Sequence, residues 1–212
     1  MEKFDKDKLI GNCLKLPISF DVNKIIEELY TIPDDLWDLG YDRHNIWIQY
    51  KDDIAATDTF LKEKKTRGSP NINTVLLRWP ALNEDNLLIK NYPILSLLPF
   101  TKKLLYETFG SSPERCVFAK LLPYSKISAH IDDDDYYKNT IRMQIPLVTN
   151  PHALFKVNFE TYHFKVGEVW ALNTGKVHSV MNNHSESRIH LICDYLPNDH
   201  LYQLLLDARQ TA

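Results

Sequence analysis

The sequence predicts a mainly β fold with flanking helices (α+β), a sandwich or jelly roll carrying an N-terminal helical layer. Periodicity changes character near residue 112: helix-like spacing dominates before it, and eight short β-like runs separated by turns fill about 80 residues after it. So many short strands without intervening helices favour antiparallel layers over a βαβ arrangement. The length of 212 residues suits one β domain with a modest extension, and 44% hydrophobic with 25% charged residues is an ordinary globular composition.

Taken in order, "DVNKIIEELYTI" (21–32) places Val22, Ile25, Ile26 and Leu29 on one helical face behind a capping Asp21. "NIWIQY" (45–50) and "NTVLLRW" (73–79) read as strands. "NYPILSLLPFTKKLLYETFG" (91–110) reads as a helix closing on Gly110. The eight β runs follow: "RCVFAKL", "YSKISAHI", "NTIRMQIPLV", "ALFKVNF", "TYHFKV", "EVWALN", "VHSVMN" and "SRIHLICDYL". A last helix, "NDHLYQLLLDARQ" (198–210), starts at a capping Asn198. The expected organisation is a single domain over 1–212: a mixed helix and strand part at 1–111, a β core at 112–197 and a C-terminal helix at 198–212.

Several functions are disfavoured by composition. A net charge of −3, with no basic cluster beyond "KEKKTR" (62–67), argues against a nucleic-acid partner. No apolar run approaches the roughly 18 residues of a membrane span, and the N-terminus has no leader-like apolar segment. Cys13, Cys116 and Cys193 are widely spaced in apolar contexts, which reads as buried thiols in a reducing cytoplasm. The oligomeric state is not legible.

The stretch "KISAHIDDDD" (126–135) ends a β run on His130, a spacer and four aspartates. It reads as a solvated acidic loop, a calcium site or part of a transition-metal site. Two histidines and one carboxylate on one face of an octahedron suit non-haem Fe(II), because they leave positions for O2 and a co-substrate. His130 and Asp132, at i and i+2 of an extended segment, point the same way and supply the close pair. His178, following the turn-like "NTGK" (173–176), is the best second histidine. By itself H-x-D is a weak signal, and a lone histidine on a β face is more often structural.

A cation ten residues beyond His178 adds weight. In "SRIHLICDYL" alternation puts Arg188, His190, Ile192 and Asp194 on one face, and in "TIRMQIPLV" Arg142 and Gln144 share a face opposite Ile141, Met143 and Ile145. Solvent is the ordinary explanation of such faces. If they line the inside of a barrel, an arginine fork suits a dicarboxylate.

"LLPYSKISAHID", "RMQIPLVTN", "GEVWALNTGKVHSVMN" and "SRIHLICDYL" together resemble the aspartyl/asparaginyl β-hydroxylase family of Fe(II)/2-oxoglutarate-dependent dioxygenases, over about residues 116–197. The resemblance is nearer to bacterial hydroxylases of free amino acids, such as the cis-proline hydroxylases, because Asp132 is kept. It implies a double-stranded β-helix, with His130, Asp132 and His178 as iron ligands and catalytic centre. It also implies Arg188 on the distal carboxylate of 2-oxoglutarate and Arg142 helping to hold this co-substrate. Gln144, counted with Arg188 and Arg142 among the co-substrate-binding residues, stands where the family usually has histidine, and "LPYSK" replaces a common Pro-Gly turn.

The implied function is hydroxylation of an unactivated C–H of an amino acid or amino-acid-derived small molecule, consuming O2 and 2-oxoglutarate and releasing succinate and CO2. The alternatives are a hydroxylase of Asp or Asn side chains in a peptide or protein, and a jelly-roll binding module without a reaction. Asp133, Asp134 and Asp135 lack the spacing and glycine of an EF-hand. They read as a solvated loop, with the alternative that one of them, or Tyr136 or Tyr137, meets a substrate amine. Trp170 and Asn173 read as supports of the metal ligands or as core. His152, His163, His184, His190 and His200 read as structural or exposed.

Overall fold

The computed structural model describes residues 4–38, 71–83 and 86–211; the runs at 45–50 and 62–67 lie outside the described residues. The chain opens with α1 (Lys6–Leu9), whose first amides are capped by Asp5, the carboxylate accepting from Asp7 N at 3.0 Å and Lys8 N at 3.2 Å. β1 (Cys13–Leu16) and α2 (Val22–Tyr30) follow, then a 3₁₀ turn at Asp34–Asp38. Asp21 occupies the N-cap position of α2, but its side chain makes no capping bond.

The strands β2 (Ile72–Asn83) and β3 (Asn86–Asn91) form a hairpin. The single helix expected over 91–110 is divided: a 3₁₀ turn at Pro93–Leu97 is followed by α3 (Pro99–Glu107). Pro99 has no N–H to continue the first segment and instead starts the second, with Leu98 out of the helical region at φ −120°, ψ 67°. The first amides of α3 are satisfied from α2: the buried Glu28 carboxylate accepts from Phe100 N at 2.6 Å, Thr101 N at 2.8 Å and Thr101 Oγ1 at 2.7 Å. Gly110 ends this region at φ 74°; a side chain there would also meet His200 Cβ at 2.7 Å.

All eight β runs form strands: β4 (Arg115–Leu121), β5 (Ser125–His130), β6 (Ile141–Val148), β7 (Ala153–Val157), β8 (Glu160–Tyr162), β9 (Val169–Leu172), β10 (His178–Asn182) and β11 (Arg188–Tyr195). The "TYHFKV" strand is shorter than expected, since its ladder ends at Tyr162. Between β5 and β6 lies α4 (Asp135–Asn139), and the chain closes on α5 (Asp199–Thr211), whose Leu201 N donates to the expected cap Asn198 at 2.9 Å.

The strands build a seven-stranded sheet, β1-β9-β6-β11-β4-β2-β3, and a four-stranded sheet, β5-β10-β7-β8, with every ladder antiparallel. From β4 to β11 the chain passes repeatedly between the two sheets, which is the winding of a double-stranded β-helix.

Helices cover one face of the larger sheet. Leu9, Ile25, Leu29, Leu104, Leu105, Leu201 and Leu205 pack with Ile141, Met143, Ile145, Leu191, Cys193 and Tyr195 in the main core. Because successive side chains alternate across a strand, Arg142, Gln144, Arg188, His190 and Asp194 turn to the other face, toward the smaller sheet. Arg188 accordingly lies over Phe155 of β7, its guanidinium carbon 4.9 Å from the ring centroid. Phe155, Val157, Phe164, Leu172 and Val180 form a second, smaller apolar cluster. Cys116 and Cys193 are buried free thiols with sulfurs 3.6 Å apart, whereas Cys13 is only half-buried, and burial pushes its thiol up to about 12.

Candidate metal centre

The antiparallel pairing of β5 with β10 puts His130, the last residue of one strand, opposite His178, the first of the other. Their ring centroids are 4.2 Å apart. Asp132 follows His130 by two residues and is fastened by its own amide, which donates to Thr174 O at 3.0 Å. One ligand atom from each of His130, Asp132 and His178 lies within 4.8 Å of the others. Asp132 Oδ1 is 3.9 Å from His130 Nε2, and Oδ2 is 3.9 Å from His178 Nε2.

The tautomers are set by backbone carbonyls. Nδ1 of His130 faces Ser128 O at 2.8 Å and Nδ1 of His178 faces Lys176 O at 2.9 Å. A carbonyl only accepts, so each Nδ1 carries a proton and Nε2 is the ring atom left to face the Asp132 carboxylate and a shared metal. Burial holds the His178 imidazole below its ordinary range, which favours the neutral form that a metal needs. Two imidazole nitrogens and one buried carboxylate fit Fe(II) in donor type and number, with coordination positions left over. His130, the more exposed histidine at 38%, marks the open side.

Arg142 stands behind Asp132. Its Nη1 donates to Asp132 Oδ2 at 3.0 Å, while Nε and Nη2 each reach the Asp194 carboxylate at 2.8 Å. Three of its donors are thus committed to carboxylates of the chain, and its face lies 4.7 Å from the Tyr137 ring centroid. The resemblance gives Arg142 a part in holding the co-substrate; the geometry adds that it anchors Asp132. Asp194 was not singled out from the sequence, although alternation had placed it on this face.

Arg188 has the opposite character. Only 3% exposed, it has no carboxylate within 4.0 Å among the described residues. Its side-chain hydrogen bond runs from Nη2 to His190 Nδ1, at 2.6 Å. Burial alone pulls its pKa down to about 9, so it remains a cation at neutral pH. Gln144 is buried 3.0 Å from the same His190 nitrogen. His190 was read as structural or exposed; it is 1% exposed inside the roll.

The acidic loop divides into separate tasks. Asp134 caps α4, accepting from Tyr137 N at 3.0 Å, and Asp133 and Asp135 are exposed. Tyr136 gives its hydroxyl to Asp194 Oδ2 at 3.3 Å, and Tyr137 is buried. Asn173 supports the loop before His178: its amide donates to Asp7 Oδ1 at 2.8 Å and Gly11 O at 3.0 Å, and its oxygen accepts from Gly175 N at 3.2 Å. Trp170 stacks on Phe164, with centroids 4.6 Å apart. The N-terminal α1 also reaches this region, where Lys6 Nζ donates to Tyr137 O. Burial pulls the Lys6 amine down to about 8, against the raising effect of Asp194. Nothing in the charge-alternating N-terminus had signalled this.

A jelly roll that gathers two imidazoles and one carboxylate at the ends of β5 and β10, and buries in its interior a cation with no carboxylate partner among the described residues, has the parts of a mononuclear non-haem metal oxygenase. Residues 56–197 match the model of the aspartyl/asparaginyl β-hydroxylase family, and the chain belongs to that family. Membership makes it an oxygenase of the hydroxylase type and implies Fe(II), 2-oxoglutarate and O2. No curated protein matches the chain. Among solved structures it is similar to an oxidoreductase of the 2OG-Fe(II) oxygenase family from Burkholderia pseudomallei, at 18% identity and TM-score 0.47 over 63% of this chain and 72% of that one. It is also similar to a Cupin 2 conserved barrel domain protein from Salinispora arenicola, at 12% identity and TM-score 0.36 over 68% of this chain and 87% of the other. Among the described residues no helix is long and apolar enough to cross a membrane.

Proposed function

We propose that the protein is an Fe(II)/2-oxoglutarate-dependent dioxygenase that hydroxylates an unactivated C–H of an amino acid or amino-acid-derived small molecule. The net reaction is substrate C–H plus O2 plus 2-oxoglutarate to substrate C–OH, succinate and CO2. Bound iron would supply the redox chemistry, and the chain supplies placement. His130 and His178 offer their Nε2 atoms, and Asp132 offers a carboxylate held by Arg142. Arg188 receives the distal carboxylate of 2-oxoglutarate.

The observation that carries this reading is that Arg188, buried in the roll, has no counter-ion among the described residues. A buried guanidinium without an anion costs several kcal/mol of desolvation, of order 3–5 kcal/mol when a partner is missing, and such a cost is tolerated where a ligand supplies the charge. A binding module would need no such cation in addition to a metal triad. A cytoplasmic setting is part of the same reading, from the wide spacing of the three cysteines in the sequence.

The test is anaerobic titration with Fe(II) and then 2-oxoglutarate, watched for the visible metal-to-ligand charge-transfer band, followed by a screen of amino acids for succinate release. A band with stimulated succinate release supports the hydroxylase. Absence of the band in protein that binds Fe(II) would refute it.

A further inference from the structure

We propose that His190 is the positioning residue of the co-substrate pocket: a neutral imidazole protonated at Nε2 that holds the Arg188 guanidinium in place for the distal carboxylate of a 2-oxo diacid. This rests on the reading of Arg188 given above.

The tautomer follows from the partners. Arg188 has only donors, so the 2.6 Å contact between its Nη2 and His190 Nδ1 requires a lone pair on Nδ1. The proton then sits on Nε2, opposite to the arrangement at His130 and His178, whose Nδ1 atoms face carbonyls. An imidazolium could not accept this bond and would bring two cations together. Burial, reinforced by Arg188, keeps the ring well below the ordinary histidine range, consistent with a neutral acceptor.

The same requirement decides how Gln144 is turned. An Nδ1 that accepts from Arg188 cannot also donate to an amide oxygen 3.0 Å away. The Gln144 amide therefore presents its NH2 to the ring, its two ends being nearly equal in shape. Gln144 reaches this nitrogen from β6, the strand beside β11, and shares its one lone pair with Arg188, whose contact is the shorter.

Packing fixes the remaining freedom. The His190 ring lies 6.0 Å from Phe155 at 22° and 6.3 Å from Phe164 at 34°. Phe155 also carries the Arg188 guanidinium on its face, so one phenyl ring supports both residues. One of the five guanidinium N–H groups is spent on His190, and the others remain for a carboxylate in a preset orientation. A neutral histidine adds no second positive charge, so the pocket is built for one carboxylate.

The experiment compares His190→Phe, which keeps a ring but loses the acceptor, with His190→Asn, whose Oδ1 can stand near the place of Nδ1. Affinities for 2-oxoglutarate and for pyruvate, a 2-oxo acid without the distal carboxylate, are read from the anaerobic Fe(II) charge-transfer band. His190→Phe should weaken 2-oxoglutarate on the order of ten- to a hundred-fold, the loss of one hydrogen bond to a charged group, and leave pyruvate unchanged. His190→Asn should recover most of the loss. Imidazole nitrogen NMR of the metal-free wild-type protein should place the His190 proton on Nε2, which tests the inference even if the phenylalanine variant does not fold. A proton on Nδ1, or wild-type 2-oxoglutarate affinity in His190→Phe while Arg188→Ala loses it, would overturn the inference alone. Wild-type affinity in Arg188→Ala as well would overturn the reading of the pocket and this inference with it.

Discussion

Arg142 Nη1 donates to Asp132 Oδ2 across 3.0 Å, and the same guanidinium grips Asp194 of β11 through two bonds of 2.8 Å. The carboxylate of the candidate metal centre sits on a loop, but its orientation is inherited from two neighbouring core strands. Partners behind a metal ligand typically carry about 10- to 100-fold in affinity. Arg142→Lys, which keeps the charge but not the fork, is expected to weaken Fe(II) binding by about that factor in a competition titration. Unchanged affinity would remove Arg142 from this role.

The four aspartates of 132–135 should separate by task. Asp132→Ala is expected to abolish Fe(II) binding at micromolar metal. Asp134→Ala removes a helix cap and should cost about 1 kcal/mol of stability with metal affinity retained. Asp133→Ala should change neither. Each loses one charge from adjacent positions, so similar losses of affinity at all of them would indicate a diffuse acidic patch rather than a ligand.

Arg188 should trade stability against binding. Arg188→Met replaces an unpaired buried cation with an apolar chain of similar length, and replacements of buried charges by well-packed hydrophobic residues are often neutral or stabilising by about 1–4 kcal/mol. The metal-free variant is expected to unfold at an equal or higher urea concentration than wild type, while its 2-oxoglutarate affinity falls at least a hundred-fold, about 2.7 kcal/mol or more. A large loss of stability would mean that the guanidinium already has compensation within the fold.

Lys6 predicts a pH dependence. Its amine titrates at about 8 in the folded protein against 10.5 ordinarily, so between those values the unfolded chain binds more protons and stability rises with pH. Below about 8 both states are protonated and the cost of burying the charge is full. Lys6→Met should therefore gain more over metal-free wild type at pH 7.5 than at pH 9.5, in paired urea titrations. An equal difference at both pH values would show that the amine is not perturbed.

The sequence by itself determined the eight strands, because period-two alternation between turns is a local property, and it paired His130 with Asp132 because residues two apart in an extended segment share a side. It missed the break at Pro99, where apolar spacing continues across a residue that cannot supply the next helical hydrogen bond. Alternation also grouped Arg188, His190 and Asp194 on one face, but could not say whether that face met water or the interior. Tertiary packing decided it: α1, α2, α3 and α5 cover the opposite face, so the polar one is turned into the roll. Only the pairing of β5 with β10 brought His178 to His130, and only the spatial order of β6 beside β11 gave Arg142 to Asp194 and left Arg188 without an anion among the described residues. Such partnerships lie 46 to 58 residues apart in the chain, as for His190 with Gln144 and Tyr136 with Asp194, and a local pattern carries no information about contacts between elements so distant in sequence.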